Sequence, residues 1–231
     1  MKKIKVLKVQ FDLPITQEQL SLFRGAVISM VGKENILFHN HKENDELRYA
    51  YPLIQYKRIH KKAALVCVGD DGTESIGAFF SRGGSRIVLG DKECDLNVEQ
   101  IKADTYAVQI WDSMFTYRIR RWLPLNQENY EKYLTLESIA DKYAMLERLL
   151  TGNVLSFAKG FDIHFDSQVQ CKITAADEPR IVNYKGVKMM SFDVEFKTNV
   201  SLPDYVGLGK GVSLGFGTVV RKYEKKNYNK E

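Results

Sequence analysis

The sequence predicts an α+β fold of two ferredoxin-like, RRM-like units in tandem, divided as residues 1–92 and 93–231. Three observations predict it. The first ninety residues carry elements in the order βαββαβ, that of a sheet with both helices on one face. From Cys94 onward a related alternation of strands and helix recurs. The chain of 231 residues is also long enough for two small domains or one large one, each with a sizeable core. No close internal sequence repeat is visible, so the duplication rests on element order.

Ile4, Val6, Leu7, Val9 and Phe11 make an opening strand that Pro14 closes. Thr16 begins a helix, with Gln19 three residues on as a capping box and Leu20, Phe23, Val27, Met30 and Val31 at helical spacing. Strand-like segments follow at Leu47 to Lys57 and Ala63 to Val68. After Asp70-Asp71-Gly72 a shorter helix is expected from Thr73 to Phe80, and Arg86 to Leu89 supplies a fourth strand. In the second unit, strands are expected at Ile101 to Ile110 and Phe115 to Trp122, then one helical region from Gln127 to Phe157. Leu136, Ile139, Tyr143, Leu146, Leu149 and Leu150 form its core stripe. Strands at Gln168 to Thr174 and Met189 to Lys197 flank a turn near Asn183-Tyr184-Lys185-Gly186. A glycine loop and a last strand, Phe216 to Val220, end the fold.

Lysine and arginine exceed aspartate and glutamate by 34 to 29. The excess is clustered: Arg48, Lys57, Arg58, Lys61 and Lys62; Arg118, Arg120 and Arg121; and Arg221, Lys222, Lys225, Lys226 and Lys230. Such clusters suit a polyanion, and singly they also suit a solvated face. Cys67, Cys94 and Cys171 are odd in number and irregularly spaced, which indicates neither a disulfide framework nor a zinc site and fits a reduced, cytoplasmic setting. The basic N-terminus alternates lysine with apolar residues and reads as a strand, not a signal peptide. No apolar run approaches the ~20 residues of a membrane helix.

The glycine run is the strongest local signal: Gly207, Gly209, Gly211, Gly215 and Gly217. A P-loop would need Ser or Thr after the Gly-Lys pair, whereas Lys210 is followed by Gly211 and Lys33 by Glu34. A dinucleotide fingerprint would need a following helix and an acidic residue about 20 positions on, and the sequence ends too soon. A plain glycine-rich hairpin and a phosphate-facing loop remain.

Histidine is scarce, and His39 and His41 stand together in F-H-N-H. In an extended segment alternate side chains share a face, so both imidazoles could meet one substrate. With Glu43 or Asp45 they could bind a metal, and they could equally be exposed loop residues. Next along the chain, Tyr49, Tyr51 and Tyr56 are interleaved with Arg48, Lys57 and Arg58. Aromatic faces for bases and cations for phosphates compose an RNA-contacting strand; core packing is the alternative for each tyrosine.

Taken together, G-L-G-K-G-V-S-L-G-F-G-T-V near the C-terminus, F-H-N-H and Y-P-L-I-Q-Y-K resemble the CRISPR-associated repeat-processing endoribonucleases, the sixth Cas family, in its I-B-like branch. The resemblance spans nearly the whole chain. It implies cleavage of precursor CRISPR RNA without metal or other cofactor, by attack of a ribose 2′-hydroxyl that leaves a 2′,3′-cyclic phosphate and a 5′-hydroxyl. It implies His41 and then His39 as general acid or base, with Tyr49 or Tyr51 assisting. Lys57, Lys61 and Lys62 would stabilise phosphate, and Gly207 to Gly217 would support the RNA. CRISPR repeat RNA is the implied partner, with other Cas proteins of an effector complex and a second copy of the chain as further candidates; no membrane is implied. A protein of this fold that holds the repeat without cutting it is the alternative.

Overall fold

The structure, a computed structural model, describes residues 2–32, 34–39, 51–82 and 84–223. Its elements are β1 (Lys3–Pro14), α1 (Leu20–Val31), α2 (Ile36–His39), β2 (Ile54–Ile59), β3 (Lys62–Val68), α3 (Gly69–Arg82), β4 (Arg86–Leu89), β5 (Lys92–Asp95) and β6 (Val98–Ala107). Then come β7 (Ile110–Trp122), α4 (Gln127–Thr135), α5 (Ile139–Lys159), β8 (Cys171–Ala176), β9 (Arg180–Tyr184), β10 (Val187–Val200) and β11 (Thr218–Arg221).

The predicted capping box is present: the Thr16 amide donates to Gln19 Oε1 at 2.8 Å and the Gln19 amide to Thr16 Oγ1 at 3.4 Å. Leu20, Phe23, Val27 and Val31 form the buried stripe of α1. In α3 the helix begins earlier than expected, at Gly69, so that Asp70 and Asp71 occupy its first turn, where carboxylates meet the positive end of the helix dipole. The long helix expected over 127–157 is two helices. Ser138 caps α5 by accepting from the amides of Ala140 and Asp141, and Leu136 leaves α4 in an extended conformation.

The first sheet runs β2-β3-β1-β6, antiparallel throughout, with Tyr56 opposite Leu65, Val9 opposite Leu65 on the other side, and Leu7 opposite Ala103. The expected fourth strand, Arg86 to Leu89, is corrected: it pairs with β5 in a separate hairpin, turned at Gly90-Asp91 with φ of Gly90 at 67°. β6 takes the fourth place in the sheet. The second sheet runs β11-β7-β10-β8, the same relative order as the first, with β9 added on β10. Both sheets therefore have the ferredoxin-like order. In the second, the return from β10 to β11 is made by the glycine segment and a single 3-10 turn, Val212–Leu214, instead of a long helix.

The strand β3 reads K-A-A-L-V-C-V because both faces of the first sheet are covered. Ala63, Leu65 and Cys67 pack under α1 and α3 with Phe11, Phe23 and Tyr56. Ala64, Val66 and Val68 join Ile4, Val6 and Ile59 in one core with Tyr117, Trp122, Leu150 and Phe196 of the second unit. Period two in β2 then sends Gln55 and Lys57 toward the second unit and Ile54 and Tyr56 toward the helices. The residues from Leu47 to Ala50 lie outside those described, and Tyr51 to Leu53 precede the strand. No helix among the described residues is long and apolar enough to cross a membrane.

Candidate functional site

A cleft of about 850 Å³ opens where the two units meet. One wall comes from the first unit, with Arg24 of α1 and His39 at the end of α2. The backbone here is held in place. Phe38 is buried beside it, the Tyr56 hydroxyl donates to the Phe38 carbonyl at 3.0 Å, and Arg24 Nη2 donates to the His39 carbonyl at 2.7 Å. Opposite lie the glycine segment from Leu208 to Ser213, Asn153 and Lys159 of α5, and Lys185 in the turn between β9 and β10. Lys159, Lys185 and Lys210 are exposed. With Arg24 they give the described lining four cations and no carboxylate, a field suited to phosphate.

The glycine segment is held from the first unit by side chains of β2 and the residues before it. Gln55 is fully buried; its Oε1 accepts from the Gly207 amide at 3.0 Å, and its Nε2 donates to the Tyr51 hydroxyl at 2.9 Å and the Pro52 carbonyl at 3.0 Å. Tyr51 in turn donates to the Gly207 carbonyl at 2.9 Å. Both backbone groups of Gly207 are thus satisfied across the interface. Two residues along, Lys57 Nζ donates to the Val212 carbonyl at 3.3 Å and to Thr218 Oγ1 at 3.1 Å. A neutral amine has two N–H groups, and here it meets two acceptors. Burial pushes the Lys57 ammonium down to about 7, toward that neutral form.

Glycine is required where the segment closes on itself. A Cβ on Gly217, whose φ is 60°, would collide with the Leu208 carbonyl oxygen, because the Leu208 amide donates to the Gly217 carbonyl at 2.9 Å across the narrow loop. On Gly215, at φ 77°, it would come within 2.6 Å of Leu20 Cδ2 of α1. On the far side, Arg121 stacks 4.2 Å from the Phe216 ring, and Trp122 Nε1 donates to Asn153 Oδ1 at 2.8 Å beneath Gly209.

Of the residues singled out in the sequence, the structure brings His39 and Tyr51 together with Gly209 and Gly211 in the cleft. His41 and Tyr49 lie outside the described residues, as do Glu43 and Asp45 of the metal reading. His39 closes a helical turn, so the expectation of an extended segment does not hold there. Tyr51 packs edge-on against Phe157 and Phe161; burial raises its phenol, against the opposing pull of its bonds to Gln55 and Gly207, so it stays a neutral donor to the loop. Lys57, expected to face phosphate, is 1% exposed beneath the loop. Lys62 is paired with Asp12 at 2.7 Å and Glu99 at 2.6 Å. Lys61 is exposed at the β2–β3 turn with φ 67°, outside the cleft. Sequence reasoning missed Gln55 as the hub of the interface, although it stands inside Y-P-L-I-Q-Y-K. It also missed the cations Arg24, Lys159, Lys185 and Lys210, which lie in four separate stretches of sequence.

Family models described as the Cas6b N-terminal domain and the Cas6b C-terminal domain match residues 2–107 and 109–222. An uncharacterized protein of Methanocaldococcus jannaschii is 32% identical over 148 residues, which cover 60% of this chain and 98% of that protein. A crystal structure of Cas6b is similar at 26% identity with a TM-score of 0.88, over 96% of this chain and 100% of the other. A crystal structure described as CRISPR RNA processing endoribonuclease Cas6b, 24% identical over the same shares, has the same fold at a TM-score of 0.74.

Proposed function

The chain belongs to the Cas6b family, and on that premise we propose that it cuts the repeat in precursor CRISPR RNA without a metal ion. The 2′-hydroxyl of the nucleotide before the cut attacks the adjacent phosphorus and the bond to the 5′-oxygen breaks, giving a 2′,3′-cyclic phosphate and a 5′-hydroxyl. One neutral imidazole takes the proton from the 2′-hydroxyl, and one protonated imidazole gives a proton to the departing 5′-oxygen. His39 and His41 fill these roles, and Tyr49 assists at the phosphate. Imidazole suits both steps because it exchanges protons near neutral pH. Arg24, Lys159, Lys185 and Lys210 offset the charge that develops on the phosphate. Tyr51, Gln55 and Lys57 act one step back, by holding the glycine segment on which the RNA rests.

The observation that carries this reading is the meeting of His39 with the glycine segment and four cations in one cleft between the units. End-group analysis of repeat RNA incubated with the protein in EDTA tests it. Products ending in a 2′,3′-cyclic phosphate and beginning with a 5′-hydroxyl are expected. Cleavage that appears only when a divalent metal is restored, or products with 5′-phosphates, would contradict it.

A further inference from the structure

A second groove, of about 640 Å³, lies between α4 and the β9–β10 hairpin and is continuous with the cleft: Leu125, Tyr184, Lys185 and Lys210 line both. Its volume is in the range of small-ligand sites, ~300–1,000 Å³. The walls are apolar, from Leu125 and Tyr130 on one side and Ile181, Val187, Met189 and Met190 on the other. The hairpin presents Ile181 and Val187 at 59% and 60% exposure, because β9 pairs with β10 and stands off the path of the main sheet. Lys188, exposed like Lys185 and Lys210, completes a basic rim. The Tyr184 ring lines both cavities, in a T-shaped contact with Phe216 of the glycine segment, centroids 5.4 Å apart, and with Lys185 Nζ 5.8 Å from its centroid.

We propose that this groove binds one unpaired nucleotide of the repeat RNA, next to the phosphate held in the cleft, and that it contributes to the choice of cleavage position. This rests on the function proposed above. The occupant follows from the chemistry of the groove. A flat apolar group is needed between tyrosine and methionine side chains, and the surrounding three ammonium groups require that group to arrive on a polyanion. An unpaired nucleotide supplies both: its base stacks on Tyr130 and Tyr184, and its flanking phosphates meet Lys185, Lys188 and Lys210. Continuity with the cleft fixes which nucleotide, since a base in the groove leaves its neighbouring phosphate beside Gly209 and Lys210. A paired base, held in a stack, does not enter.

The test is the affinity of the full chain for a set of repeat RNAs, each with one abasic nucleotide at a different position, measured in EDTA at low temperature before cleavage proceeds. Wild type is compared with Tyr130→Ala and with Val187→Glu, the latter at a position 60% exposed. Wild type should lose about tenfold in affinity at one abasic position near the cut. Tyr130→Ala should lose a similar factor on intact RNA and be indifferent to that abasic position, and Val187→Glu should reproduce the pattern. Losses that simply multiply at every position, in a protein that still binds and cuts the repeat, overturn the nucleotide site alone. No affinity for repeat RNA overturns the proposed function and this site with it.

Discussion

Replacing His39 and His41 together with alanine is expected to lower single-turnover cleavage of the cognate repeat RNA by at least about 100-fold, the smaller end of what a positioned acid or base contributes. Affinity for the RNA should change little, because the cations and the glycine segment stay in place. The structural ground is the setting of His39. It ends a helical turn whose backbone is tied to Tyr56 and Arg24, and it lines the same cleft as the glycine segment. Each single variant should remove one of the two proton transfers and leave the other. Two groups that act in one step lose less than additively when both are removed. A double variant that cuts at the wild-type rate would place the chemistry elsewhere in the cleft.

The second large effect is on stability. Lys57→Met removes a buried amine whose ordinary value of 10.5 is lowered to about 7 by burial. Its two acceptors keep other partners: the Val212 carbonyl also accepts from the Gly215 amide, and the Thr218 hydroxyl also donates to the Gly215 carbonyl. Below pH 7 the wild type must bury an ammonium, so the methionine variant should be the more stable. Between pH 7 and about 10 the unfolded chain holds a proton on Lys57 that the folded chain has released, so wild-type stability rises with pH. The gain relative to the variant is on the order of 1 kcal/mol per pH unit across that window. Urea midpoints of the two proteins at pH 6, 8 and 9.5 measure it. A difference that stays constant over this range would mean that Lys57 is charged in the folded protein throughout.

The fold was legible where each element has a local cause. The capping box at Thr16 and Gln19 and the stripe on α1 needed no tertiary information, and the uninterrupted apolar run of β3 follows from a sheet covered on both faces. The fourth strand was not legible, because Arg86 to Leu89 has a good strand pattern and only pairing partners decide that it folds back on β5. The break at Ser138 was missed for a related reason: the apolar spacing continues through it, and the cap is a single side chain. The motifs named His39, Tyr51, Gly209 and Gly211 of the cleft lining but not the contacts between them. Tyrosines interleaved with arginine and lysine suggested a strand open to RNA, whereas the face that bears Gln55 and Lys57 is closed by the second unit, so these residues hold the loop. Arg24, Lys159, Lys185 and Lys210 converge only through the fold, and no spacing in the sequence announces them.

The most direct measurement is on the substrate. Repeat RNA carrying a single 2′-deoxynucleotide immediately before the cut, and otherwise unchanged, is mixed with the protein in EDTA beside the all-ribose RNA. Both RNAs should be bound and only the all-ribose RNA cut, since the attacking oxygen is absent from the other. Cleavage of the deoxy-substituted RNA at the same position would show that the nucleophile is not the 2′-hydroxyl, and would contradict it.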